Sequence, residues 1–310
     1  MAGRILVIRG GAIGDFLLTL PSIGLLRDAF PETAIELLGY RHIIELAVGR
    51  HYASASRSIE YGPLAGFFNP KSELDPELAA WFSGFHQVIS YLFDPDEFFA
   101  GSLRRAGVRN LIVGTPKIGD HSHAAAQLAA PLQRLALFLD DPSARLFPSV
   151  ADQTAADEWL RGEKPAVAIH PGSGGERKNW PLDRWLALAR HLLSAGHFLL
   201  VVGGESDSRR LADLRSALPQ DALRFAEDLP LPLLAAVLAR CRLFIGHDSG
   251  ISHLAAAAGA DCLLLFGPTD PAVWAPANPG VRVIASPTGE MSDIALDSVR
   301  AMADSVLGNA

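Results

Sequence analysis

Apolar and polar positions follow two rhythms along this chain. Short apolar runs bounded by charge or glycine read as strands: Ile5 to Ile8, Ile35 to Leu38, Val88 to Leu92 and Leu111 to Val113. Between the first two, apolar residues at Leu17, Leu20, Ile23 and Phe30 have the spacing of one helix face, predicting a helix from Phe16 to Phe30. The second half repeats the pattern more clearly. Strands are predicted at 166–169, 198–202, 243–245, 262–266 and 281–284, with helices at 182–195, 208–218, 233–239 and 252–258 and a tail helix from Leu296 to Leu307.

This βα alternation implies mainly parallel sheets, and near-continuous apolar strands imply burial on both faces. The polar stretch from Asp140 to Asp157, interrupted by Pro142 and Pro148, is the predicted linker. The chain therefore reads as α/β: two doubly wound domains, 1–150 and 151–310, facing a central cleft.

Composition changes this picture little. Hydrophobic residues make up 49% and charged residues 20%, with a net charge of −7, which argues against nucleic acid as a partner. Arg41, His42, Arg50, His51 and Arg57 form one local basic cluster, which reads first as a solvated face. The two cysteines, Cys241 and Cys262, are expected as small core residues. The start of the chain lacks a signal-peptide pattern, and no apolar run reaches the ~18 residues of a membrane span. A cytoplasmic protein is expected, with peripheral contact at the inner membrane left open.

Three turns at predicted strand ends carry the candidate chemistry. After the first strand comes Arg9-Gly-Gly-Ala-Ile-Gly-Asp15. It is not a dinucleotide fingerprint, because GxGxxG ending at Gly14 needs glycine where Arg9 stands. It does set the carboxylate of Asp15 at a helix start, where Asp15 acts either as a helix cap or as a general base. The second turn, His170-Pro-Gly172-Ser173-Gly-Gly-Glu-Arg177-Lys178-Asn-Trp180-Pro181, couples backbone N–H groups to two cations, which suits a phosphate. The third, His247-Asp248-Ser249-Gly250-Ile-Ser-His253, opens a helix whose N-terminal N–H groups attract anions, although Asp248 or Ser249 also serves as an ordinary N-cap. Two anion-suited turns in one domain favour nucleotide binding. His253 lies one turn into that helix, either structural or within reach of a phosphate. Thr269 and Asp270 either line the same pocket or form a turn. Trp180 and Trp185 are read as core. Asp94, Asp96 and Glu97 are not assigned a metal.

These pieces, with Trp185 and Phe266-Gly-Pro-Thr-Asp270-Pro, keep the order and approximate spacing seen in glycosyltransferase family 9, and the chain resembles that family's ADP-heptose:lipopolysaccharide heptosyltransferases from its first strand to about residue 285. The resemblance implies a GT-B fold of two Rossmann-like domains, acceptor in the first and sugar nucleotide in the second. The tail helix, about 292–308, would cross back to the first domain. It implies inverting transfer of heptose from ADP-heptose to a lipopolysaccharide-core or related glycan hydroxyl, with no cofactor and no metal. Asp15 is then the base and Lys178 the cation at the leaving diphosphate. Gly172, Ser173, Arg177, Asp248, Ser249, Gly250 and His253 surround the donor, and Glu205 reaches its ribose. Gly11, Gly14 and Arg41 meet the acceptor, and Arg50 and Arg57 would extend a patch for an anionic one. The competing readings are a sugar-nucleotide epimerase of the same architecture and a non-catalytic nucleotide-sugar binding protein.

Overall fold

The computed structural model describes residues 3–308. The chain divides into two compact units, one ending at Pro142 and the other starting at Ser143. The expected boundary lay at 150. Much of the stretch predicted as linker is in fact helix Val150–Leu160, whose polar residues are its solvent face and whose start is a capping box of Ser149 and Asp152.

The first unit holds five strands: β1 Arg4–Arg9, β2 Ala34–Gly39, β3 Ala55–Ser58, β4 Gln87–Ser90 and β5 Leu111–Val113. All pair in parallel, in the order β3-β2-β1-β4-β5. Helix Ile13–Ala29 follows β1 and buries Phe16, Leu17, Leu20, Ile23 and Leu26. Strand β3 was not expected, because Ala-Ser-Arg-Ser has no apolar rhythm. It forms where the outer edge of β2 needs backbone partners. Leu6, Ile8, Val88, Phe67, Phe82 and Phe99 build the core under one face.

The second unit holds six: β6 Val167–Ile169, β7 Leu199–Gly203, β8 Leu223–Glu227, β9 Leu243–His247, β10 Cys262–Phe266 and β11 Val281–Ala285. They run parallel in the order β11-β10-β9-β6-β7-β8. Each unit thus starts in the middle of its sheet, winds outward on one side, then returns to wind outward on the other. The reversal falls between β1 and β4 in the first sheet and between β6 and β9 in the second. In such sheets the carboxyl ends of the strands flanking that point splay apart and leave a crevice.

Trp180 and Trp185 are fully buried in the second core, edge to face at 5.4 Å. Both cysteines are buried thiols. The tail helix Leu296–Leu307 packs within the second unit. Its stripe of Val299, Ala303 and Leu307 is part of the second unit's own core. Arg242 donates to the Leu307 carbonyl at 2.9 Å, and His191 meets Asp304 at 3.0 Å. Burying that stripe beside Leu192 and Leu243 is the hydrophobic gain that fixes it there. No helix among the described residues is long and apolar enough to cross a membrane.

Candidate functional site

In the first unit the crevice between β1 and β4 holds a buried cation. The guanidinium of Arg9 donates to the Tyr91 carbonyl at 3.2 Å, to the Asp15 carbonyl at 3.2 Å and to Asp15 Oδ1 at 3.2 Å. Burial pulls the Arg9 pKa below its ordinary value, opposed by the attraction of Asp15. Asp15 Oδ2 accepts the Ala12 N–H at 2.8 Å. The capping role is therefore real, since Ala12 has no side chain to cap with. The carboxylate is nonetheless 37% exposed, while the Arg9 side chain is 3% exposed. Asp15 therefore faces a cavity of about 480 Å³, lined also by Gly11, Tyr40, Ile59, Glu60, Phe68, Tyr91 and Phe93. Gly11 has φ +91°, and a Cβ there would lie 2.5 Å from Asp15 Oδ2, so only glycine leaves this carboxylate its place. Burial pushes the Tyr91 phenol up to about 12, which keeps it neutral.

In the second unit the crevice between β6 and β9 holds a buried anion. Asp248, at the end of β9, accepts the Lys178 ammonium at 2.6 Å and the Thr269 hydroxyl at 2.8 Å. Here the carboxylate is 9% exposed and the lysine 34%. Ser249 caps helix Gly250–Ala257, accepting the Ser252 N–H. The N–H groups of Gly250 and Ile251, in the first turn, have no carbonyl to meet inside the helix. Ser173 closes its own turn, donating to the Gly175 carbonyl at 2.8 Å. Lys178 and the helix start thus offer positive charge at one strand end, the chemistry an anionic leaving group needs.

Two residues that sequence reasoning missed hold this crevice in shape. His247 is fully buried, and burial drives its pKa down to about 3, so it is neutral. Its Nε2 accepts the Trp180 N–H at 2.9 Å, which leaves Nδ1 protonated to donate to the Gly172 carbonyl at 3.1 Å. One ring thereby ties both ends of the glycine-rich turn to β9. The signal was present, a histidine closing an apolar strand, but it was read only as the lead-in to Asp248. Asp207 is the second. Its carboxylate accepts the Gly204 N–H at 3.0 Å and lies 3.4 Å from His170 Nε2. Burial alone would raise its pKa, but the hydrogen bonds from His170 and Gly204 outweigh burial and hold it low. A Cβ on Gly172 would sit 1.7 Å from Asp207 Oδ1, so the turn packs directly on this carboxylate.

Other expected positions fare differently. Arg177 is exposed, so Lys178 is the cation that the fold positions. Glu205 is also exposed, and the carboxylate built into the turn after β7 is Asp207, two residues on. His253 is buried, one turn into its helix, and His170 is buried with Nδ1 3.4 Å from Ser249 Oγ. Asp248 serves its ammonium partner, and as a carboxylate it is unsuited to touching phosphate itself. Arg41 lies apart from the cavity lining. It is 81% exposed and pairs with Glu45 one turn along its helix, whereas its neighbour Tyr40 lines the cavity. Gly14 lies inside helix Ile13–Ala29, off the lining, whereas Gly11 is on it. Asp270 caps the short helix Pro271–Trp274. Asp94 accepts the N–H groups of Phe99 and Ala100, and among the described residues no group of three or more His, Cys, Asp or Glu is arranged to hold a metal ion.

Comparison with known proteins adds a family and a fold. The family model for glycosyltransferase family 9 (heptosyltransferase) matches residues 120–300. Lipooligosaccharide heptosyltransferase 2 of Haemophilus influenzae is 30% identical over 137 residues, which are 43% of this chain and only 40% of that relative. A glycosyl transferase family 9 structure from Veillonella parvula covers 99% of this chain and 98% of its own at 19% identity, with a TM-score of 0.83. The structure of E. coli ADP-heptose lps heptosyltransferase II covers 99% of each chain at 18% identity, with a TM-score of 0.74. At such identities these structures establish the fold, the GT-B class with its two parallel sheets.

Proposed function

The chain belongs to glycosyltransferase family 9 (heptosyltransferase), and from that membership we propose that it moves heptose from ADP-heptose to a hydroxyl of a lipopolysaccharide-core or related glycan acceptor, inverting the anomeric centre without a resident metal ion. The observation that carries this reading is the opposite polarity of the two crevice ion pairs. In the first unit the solvent-facing member is the carboxylate of Asp15, and in the second it is the ammonium of Lys178.

The steps follow from those groups. The first unit binds the acceptor, and Asp15 Oδ takes the hydroxyl proton as that oxygen bonds to the anomeric carbon. The hydrogen bonds from Arg9 and the Ala12 N–H fix the orientation of the carboxylate. The bond from the anomeric carbon to the diphosphate oxygen breaks on the opposite face, which inverts the configuration. The second unit binds the diphosphate: Lys178 and the N–H groups of Gly250 and Ile251 receive the developing charge, with Ser173 and Ser249 beside them. The donor assignment draws on the E. coli neighbour, whose name includes ADP-heptose. The protein would act in the cytoplasm, with peripheral contact at the inner membrane.

Steady-state transfer from ADP-heptose tests the base. Asp15→Asn is expected to lower turnover about 10²- to 10⁴-fold. Turnover at the wild-type level in that variant would remove Asp15 from the chemistry.

A further inference from the structure

The cavity in front of Asp15 is built for a different kind of acceptor surface than an anionic glycan would need. Its walls are largely aromatic and aliphatic, from Tyr40, Ile59, Phe68, Leu92 and Phe93. Phe68 and Phe93 are 44% and 61% exposed, unusual for large apolar side chains unless something covers them. Phe68 is also a fixed platform: its ring stacks on the buried ring of Phe99, with centroids 4.8 Å apart and planes 24° off parallel, while the residue stays exposed and lines the cavity.

The charges point the same way. Among the residues that line the cavity the cation is Arg9, and its guanidinium is already committed to Asp15 and to the Tyr91 carbonyl. The remaining charged liner, Glu60, brings a second carboxylate. Of the cations nearby, Arg41 pairs with Glu45, Arg57 pairs with Glu77 and lies over Trp81, and the Lys117 ammonium lies over the Phe93 ring, 5.0 Å from its centre, without itself lining the cavity. A carboxylate or phosphate on the accepting sugar would enter a space lined by two carboxylates and by one cation already paired with Asp15, and like charges brought together repel.

We propose that the residue accepting the transferred sugar is an uncharged saccharide, held by stacking of its C–H face on Phe68 and Phe93 and presenting one hydroxyl to Asp15. This rests on the transfer reading and names its acceptor class. Sugar rings carry a polar rim and an apolar face, and aromatic side chains supply large rigid area for the latter at low entropic cost. Glu60 acts as a specificity residue: it accepts a hydroxyl hydrogen bond from a neutral sugar and repels an acidic one.

The test uses the full chain, ADP-heptose as donor and two synthetic acceptors that differ only by a carboxylate on the accepting residue, followed by transfer kinetics and by saturation-transfer NMR of acceptor binding. The neutral acceptor is expected to have a KM at least about tenfold lower than its acidic counterpart, consistent with loss of one favourable contact and gain of a repulsion. Phe68→Ala and Phe93→Ala should each raise the neutral KM about threefold to tenfold, with kcat changed less than about twofold. Glu60→Gln should narrow the gap between the two acceptors. Preference for the acidic acceptor, a larger loss in Lys117→Ala than in the phenylalanine variants, or unchanged KM in both phenylalanine variants would overturn the proposal. Neutral-acceptor binding that depends on Phe68 but gives no product would instead sink the transfer reading, and with it the accepting role, and leave only a neutral-saccharide site at this wall.

Discussion

The two units share a strand order and the place at which it reverses, and at that place each carries one ion pair. The pairs are turned in opposite directions. In the first unit Arg9 is locked inside and Asp15 looks out, and in the second Asp248 is locked inside and Lys178 looks out. The same crevice therefore offers an anion in one unit and a cation in the other. The lesson is that topology sets where a ligand binds, and the buried member of each pair decides which charge the ligand meets. Neither buried charge is left bare: Arg9 has carbonyl and carboxylate acceptors, and Asp248 has an ammonium and a hydroxyl.

The comparison can be broken at either end. Beside the loss expected in Asp15→Asn, the largest effect is expected from Lys178→Ala, which removes the outward cation. Loss of one preorganised donor at a developing negative charge costs about 10²- to 10³-fold in kcat, and a fall below about threefold in transfer kinetics would show that the leaving group finds its charge elsewhere. A smaller loss, about tenfold, is expected from Asp248→Asn, which leaves Lys178 in place but weakens the charge-assisted bond that orients it. If Asp248→Asn proved as damaging as Lys178→Ala, the carboxylate would be acting on the substrate and not through the lysine.

The smallest effect concerns stability. His247 is neutral and buried, with its pKa pushed down to about 3, whereas in the unfolded chain it binds a proton below about pH 6.5. Between those values the unfolded state holds more protons, so the contribution is complete above about pH 6.5 and is lost as the pH falls toward 3. Asp207, also held low in the fold, adds a loss of the same sign at more acidic pH. His247→Asn should cost about 1–3 kcal/mol at neutral pH through its weakened ties to Trp180 and Gly172, and should flatten the acid limb of the stability curve. Chemical unfolding at pH 7.5 and pH 4.5 checks both, and an acid limb as steep as that of the wild type would show that another group titrates there.

Much of the fold was legible because buried parallel strands advertise themselves: β10 and the tail helix were read at their observed bounds. The edge strands β3 and β8 were not, since Ala-Ser-Arg-Ser and Leu-Arg-Phe-Ala-Glu carry polar residues and owe their strand form to a neighbour. The tail helix shows the limit of periodicity, which reveals an apolar stripe but not the core that receives it. At the site, the three turns were visible as composition, but pairing was not. Lys178 and Asp248 are 70 positions apart, and only the adjacency of β6 and β9 brings their turns together. Glu205 came only from the resemblance, while the carboxylate that the fold turns inward after β7 is that of Asp207.

The central claim is the division of charge between the two units, and calorimetric titration of ADP into the Asp15→Asn and Lys178→Gln proteins tests it most directly. The account predicts a Kd within about twofold of wild type for Asp15→Asn and one weakened at least about tenfold for Lys178→Gln, the worth of roughly one charge-assisted hydrogen bond. Equal weakening in the two variants, or none in Lys178→Gln, would contradict it.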